Sequence, residues 1–125
     1  MRLLLDTHIL LWWLSDDASL SDAARIAIRD PASGVFVSAA AAWEIAIKHA
    51  LGKLEFPVAQ FSRILAKEGF EPLGITVDHA VIAGELPPFH NDPFDRMLVA
   101  QAQHEGLTLV TADPMIRRYA VAVLG

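Results

Sequence analysis

Three short apolar stretches, Leu3-Leu4-Leu5, Val35-Phe36-Val37 and Leu107 to Val110, each give way at once to a polar residue that opens a helical pattern. A strand that faces water on one side alternates apolar with polar residues, whereas a strand covered on both faces reads as a continuous apolar run. These stretches therefore predict buried strands of a parallel sheet with helices as the crossovers, and no hairpin signal argues for antiparallel pairing. A weaker strand is expected over Phe70 to Ile75, interrupted by Pro72 and Gly74 and so on a sheet edge, and a last short one over Val121 to Val123. Helices are expected over Thr7 to Leu14, from Ser21-Asp22 to Arg29, from the cap Ser38 to Ala50, and over Pro57 to Lys67, Val77 to Glu85 and Pro93 to Glu105. Gly52 and Gly106 stand where two of them should end. The fold class is α/β, with a central parallel sheet of four to five strands covered by helices on both sides. At 125 residues, the chain is expected to form a single domain over residues 1–125 with one core.

The absence of cysteine excludes disulfides and thiolate metal ligands, leaving oxygen donors or histidine with carboxylate as the only means of holding a cation. Apolar residues make up 54% and charged residues 20%, a surplus of apolar surface that predicts a partner. The helix of Ile9 to Leu14, apolar nearly all round, and the region from Gly52 to Ile64 are the places where a monomer is expected to leave such surface in water. No apolar run approaches the roughly 18 residues of a membrane span, and Met1-Arg2-Leu3 enters a strand pattern without a signal-peptide layout, so no membrane association and a cytoplasmic location are expected. Net charge is −5, the wrong sign for holding nucleic acid by phosphate neutralisation alone. Lys48, Lys53, Arg63 and Lys67 either line a path for phosphates or form ordinary solvated faces.

Carboxylates mark the junctions between these elements. Asp6 closes the first strand, where ligands collect in open α/β sheets, although it is also placed to cap the next helix. Glu44 is the single charge between Ala39 and Ile47; it either pairs with Lys48 one turn on or projects from a packed helix as a ligand. Asp92 precedes Pro93 as an N-cap followed by proline, and Asp95 falls in the first turn, favoured there by free N–H groups. Asp113 lies just past the Leu107 to Val110 strand. In a doubly wound sheet such positions converge on one edge, and crowded carboxylates stay ionised only beside a cation. One or two Mg²⁺ or Mn²⁺ ions, which take oxygen ligands, answer that need and suit phosphodiester hydrolysis. His79, His90 and His104 form no HExxH-type pair and are read as surface or capping residues.

Leu3-Leu4-Leu5-Asp6-Thr7, Glu44 within Ala-Ala-Trp-Glu-Ile, Asp92-Pro-Phe-Asp95-Arg-Met-Leu-Val-Ala-Gln-Ala and Leu-Thr-Leu-Val-Thr111-Ala-Asp113 together resemble the PIN-domain ribonucleases, specifically the VapC toxins of type II toxin–antitoxin modules. The resemblance spans nearly the whole chain, with four motifs in order. It implies a PIN-like α/β/α sandwich, a Mg²⁺- or Mn²⁺-dependent endoribonuclease acting on RNA, a homodimer, and neutralisation by a cognate VapB antitoxin. Carried over position by position, the family's four acids fall on Asp6, Glu44, Asp95 and Asp113, and Thr111 matches a small hydroxyl residue that helps to position water or metal. Asp92 belongs to the Asp-Pro-Phe-Asp-Arg variant, as a cap or as an outer metal ligand. Two readings from other classes compete: a non-catalytic PIN-like protein-binding module, against which the intact acids argue, and a phosphoacceptor signalling domain, which would want a Lys after the last strand that Val121 to Gly125 lacks.

Overall fold

A computed structural model describes residues 1–125. Its sheet has five strands, β1 (Arg2–Leu5), β2 (Gly34–Ser38), β3 (Glu71–Leu73), β4 (Thr108–Val110) and β5 (Val123–Leu124), in the order β3-β2-β1-β4-β5, and every neighbouring pair is parallel. The helices are α1 (Thr7–Leu14), α2 (Asp22–Arg29), α3 (Ala39–Ala50), α4 (Phe61–Glu68), α5 (Val77–Glu85) and α6 (Pro93–Glu105). β1 lies in the middle, and its side chains alternate between two cores as the pleat requires. Leu3 and Leu5 face Ile9, Leu10, Val35, Val37 and Ile45. Leu4 faces the other way, toward Leu98, Val99, Leu109 and Ile116. Both faces of the central strand are sealed, which accounts for its unbroken run of leucines.

Local chemistry fixes the helix ends. Ser21 and Ser38 accept backbone N–H bonds from Ala24 and Ala40, and Gly106 takes the left-handed conformation (φ 67°) that closes α6. Leu107 was expected to begin a strand, but its N–H completes the helix ending by bonding Ala102 O at 2.9 Å, so β4 starts one residue later.

Four further details depart from the sequence reading. The helix expected from Pro57 is instead a 3₁₀ turn over Val58–Gln60 followed by α4, a bend that tilts the Phe56 and Phe61 rings together at 5.1 Å. β3 is confined to Glu71–Leu73; it is an edge strand, as its proline required, while Phe70 turns into the core. β5 lies at Val123–Leu124 rather than Val121 to Val123, because its register is set by pairing of Leu109 with Val123 and Val110 with Leu124. Finally, the most exposed apolar residues lie outside the two regions expected to carry the surplus. Leu11 to Leu14, Leu54, Phe56 and Phe61 are partly buried against the first core, whereas Trp43 on α3, Leu51 just past its end, and Ile75, Val77 and Val81 at α5 are exposed. No helix is long and apolar enough to cross a membrane.

Candidate active site

The carboxyl ends of β1 and β4 and the first turns of the helices meet at one edge of the sheet, around a cavity of about 330 Å³. Asp6, Thr7, Glu44, Lys48, Asp92, Asp95 and Asp113 line it, with His8 and Trp12 at one side. All four acids expected to act together are therefore at one cavity.

Asp6 is buried and caps α1, accepting the Ile9 N–H at 2.8 Å. Burial pushes its carboxyl above the ordinary range, an effect opposed by hydrogen bonds from Thr111 and from the Ile9 N–H. Thr111, fully buried, also accepts the Asp113 N–H at 3.0 Å, so one hydroxyl ties the acid at the end of β1 to the acid beyond β4. Asp113 in turn accepts the Met115 N–H at 2.8 Å through Oδ1, leaving Oδ2 toward the cavity side.

Glu44 makes the pair that one of its two candidate roles required, and a second bond besides. Its Oε2 accepts from Lys48 Nζ at 2.8 Å, the pair expected one helical turn away, and its Oε1 accepts from Thr7 Oγ1 at 2.6 Å, across from α3 to α1. The carboxylate is buried to within 6% of full cover and these two bonds are what make that tolerable. Thr7 and Lys48 are thus part of the site, which the sequence reading missed for Thr7; the signal available was a hydroxyl directly after an acid at a strand-to-helix junction.

Asp95 carries the largest perturbation. Burial, then the charge of Asp92, raise its carboxyl to about 6; His90 opposes the shift and Asp6 adds to it. His90 Nε2 lies 2.9 Å from Asp95 Oδ2 and 3.2 Å from Asp113 Oδ2, bridging the two acids. This corrects the placement of His90 among surface or capping residues: Tyr119 Oη accepts its N–H at 2.9 Å, which brings the stiff Pro87-Pro88-Phe89 approach back over the helix mouth. His79 is corrected as well. It is buried rather than superficial, with its Nδ1 accepting the Thr76 N–H in a capping box, and so its capping role stands.

Asp92 accepts N–H bonds from Phe94 at 2.8 Å and Asp95 at 3.2 Å, the N-cap arrangement. Asp92→Asn keeps an acceptor at that position and should retain most of the stability, whereas Asp92→Ala should lose about 1 kcal/mol. Because the Asp92 charge helps to raise Asp95, the Asn variant should also lower the Asp95 titration midpoint, readable by carboxyl ¹³C shifts in metal-free protein. An Asp95 midpoint that stays at about 6 in the variant would show that burial alone sets it.

The sequence matches the PIN domain family model over residues 3–122. It is 36% identical over 119 residues to Ribonuclease VapC22 of Mycobacterium tuberculosis, covering 93% of this chain and 90% of that protein. Among solved structures it is similar to VapBC2 from Rickettsia felis bound to a DNA fragment from their promoter, with a TM-score of 0.71, 16% identity and 99% and 98% of the two chains covered. It is also similar to a toxin-antitoxin complex from Klebsiella pneumoniae, with a TM-score of 0.69, 20% identity and 98% and 95% covered. These two likenesses establish the sandwich architecture of the sheet and its flanking helices.

Proposed function

Since this chain belongs to the PIN domain family, and within it resembles the VapC ribonucleases over nearly its whole length, we propose that it is a divalent-metal-dependent endoribonuclease and the toxin of a type II toxin–antitoxin pair. The observation that carries this reading is the gathering of Asp6, Glu44, Asp95 and Asp113 around one cavity. Burial and the neighbouring Asp92 charge raise the Asp95 carboxyl to about 6, so a cation at this cavity would stabilise its ionised form, and oxygen donors of this kind fit Mg²⁺ or Mn²⁺. Asp6, Glu44, Asp95 and Asp113 would hold the ion, with Asp92 as the cap behind them. When bound, such an ion lowers the pKa of water and stabilises charge on phosphoryl oxygens.

The chain's own residues supply the rest. Thr111 and the Met115 N–H fix Asp113, Thr7 fixes Glu44, and the Ile9 N–H fixes Asp6, so these three acids are oriented before any RNA arrives. Lys48, half-buried against Glu44, places a positive charge at the cavity wall where a phosphate of the substrate would pass. With a net charge of −5, the chain is expected to hold RNA through the metal and through Lys48, Lys53, Arg63 and Lys67, with an affinity that falls as salt rises. A VapB-type antitoxin is the expected inhibitor, presenting an Arg or Lys to the acids in place of the cation, and the toxin itself acts in the cytoplasm as a homodimer through the apolar surface left exposed.

The test is mapping of new RNA 5′ ends after a brief pulse of expression, together with cleavage by purified protein. Cutting should stop in excess EDTA and return with Mg²⁺ or Mn²⁺. Undiminished cutting in excess chelator would remove the metal from the mechanism, and a pulse that creates no new 5′ ends would remove the endoribonuclease.

A further inference from the structure

We propose that His90 is itself a ligand of the cation site, adding one nitrogen to the carboxylates and biasing the site toward Mn²⁺ over Mg²⁺. The inference rests on the reading of this cavity as a metal site and concerns which atoms complete it.

The geometry is that of a preformed trio. His90 Nε2 and one oxygen each of Asp95 and Asp113 lie within 4.8 Å of one another, and the imidazole already stands between the two carboxylates. An N–H on Nε2 bridges those oxygens; to hold a cation, the same nitrogen would have to present its lone pair instead. That exchange needs the other ring nitrogen to be able to carry the hydrogen. Nδ1 of His90 receives no N–H bond from the protein, so it is free to do so.

In a second trio, His79, His104 and Glu105, the buried histidine His79 fails the same requirement. Nδ1 of His79 accepts the Thr76 N–H at 3.0 Å and must therefore stay without a hydrogen, which leaves Nε2–H donating to Glu105 at 3.0 Å. The two clusters look alike by spacing, but the buried histidine of the second is locked in one tautomer whereas His90 is not.

His90 is also held as a ligand needs to be. Its N–H donates to Tyr119 Oη at 2.9 Å, its carbonyl accepts from Arg96 at 3.4 Å, and Tyr119 in turn donates to Pro87 O. Both backbone groups are thereby anchored and the ring is presented from a fixed loop. An imidazole among carboxylates favours softer transition ions, whereas Mg²⁺ prefers an all-oxygen shell and keeps its waters.

Electron spin echo envelope modulation of bound Mn²⁺ tests this without reference to activity. Wild-type protein should show ¹⁴N modulation that shifts on ¹⁵N-histidine labelling. The His8→Ala protein, which removes the imidazole that lines the cavity itself, should show it unchanged. His90→Asn and His90→Gln should lose it, with Mn²⁺ affinity falling by about tenfold and Mg²⁺ affinity, read by competition, changing much less. Bound Mn²⁺ with no nitrogen modulation in wild-type protein, or modulation that vanishes in His8→Ala, overturns the role of His90 and leaves the metal site standing. A wild-type protein that binds no Mn²⁺ overturns the metal-dependent reading and this inference with it.

Discussion

Asp95→Asn should lose RNA cleavage by about a thousandfold or more, some 4 kcal/mol of barrier, and yet melt higher than the wild type in metal-free buffer at pH 7. The two effects have one cause. The folded state raises this carboxyl from 3.8 to about 6, first by burial and then by the neighbouring Asp92 charge. Between those values the folded protein binds more protons than the unfolded chain, so stability falls as pH rises from about 4 to about 6 and the full penalty is in place above that. The penalty is on the order of 2 to 3 kcal/mol, of which the variant forfeits part by weakening the contact with His90. A gain of a few degrees in melting temperature at pH 7 should therefore shrink to nothing by pH 4, where wild-type Asp95 is neutral as well. Adding Mn²⁺ should reverse the order, because the wild type then gains binding energy that the variant cannot. Cleavage assays and thermal melts at pH 4, 5.5 and 7 check it. An inactive variant that melts lower at every pH would make Asp95 a structural residue.

The acids were legible because local sequence announces each of them, Glu44 as the lone charge in an apolar helix and the others at junctions between elements. Asp6 ends an apolar run, Asp113 follows another, and Asp95 comes three residues after a capping Asp and two after a proline. The parallel sheet was legible for a related reason: runs such as Leu3-Leu4-Leu5 cannot alternate when both faces are covered. What the sequence did not announce depends on pairings between distant segments. His90 meets Asp113 across 23 positions and Tyr119 across 29, and no local periodicity encodes either. The register of β5 and the turn at Val58–Gln60 were misjudged on the same ground, since strand partners and ring contacts overrode local propensity. Exposed Trp43 and Val81 were likewise invisible, because an apolar residue on a helix reads as core until its neighbours are known.

Arg96 is the residue whose loss should damage most of this at once. It follows Asp95 in the helix, and nothing in its spacing distinguishes it from a solvated charge. Its guanidinium instead forks into the loop that carries His90: Nη2 donates to Ala83 O at 2.8 Å and Leu86 O at 3.0 Å, and Nη1 donates to Pro87 O at 3.0 Å and, at longer range, to His90 O and Tyr119 Oη. One planar cation thereby satisfies the carbonyls at the end of α5 and pins the Pro87 to His90 segment onto α6. Arg96→Ala should lower stability by about 3 kcal/mol, since charge-assisted bonds are lost together and several carbonyls are left without a partner. The same release lets His90 drift from Asp95 and Asp113, so cleavage should fall by about a hundredfold even at temperatures where the variant is folded. Arg96→Lys should recover less than half of either loss, because a single ammonium on a flexible stem cannot reach both sides of the fork. Urea unfolding followed by cleavage assays at 15 °C separates the two effects. An Arg96→Ala protein with the wild-type midpoint and full activity would show that the proline-rich approach holds His90 in place without the clamp.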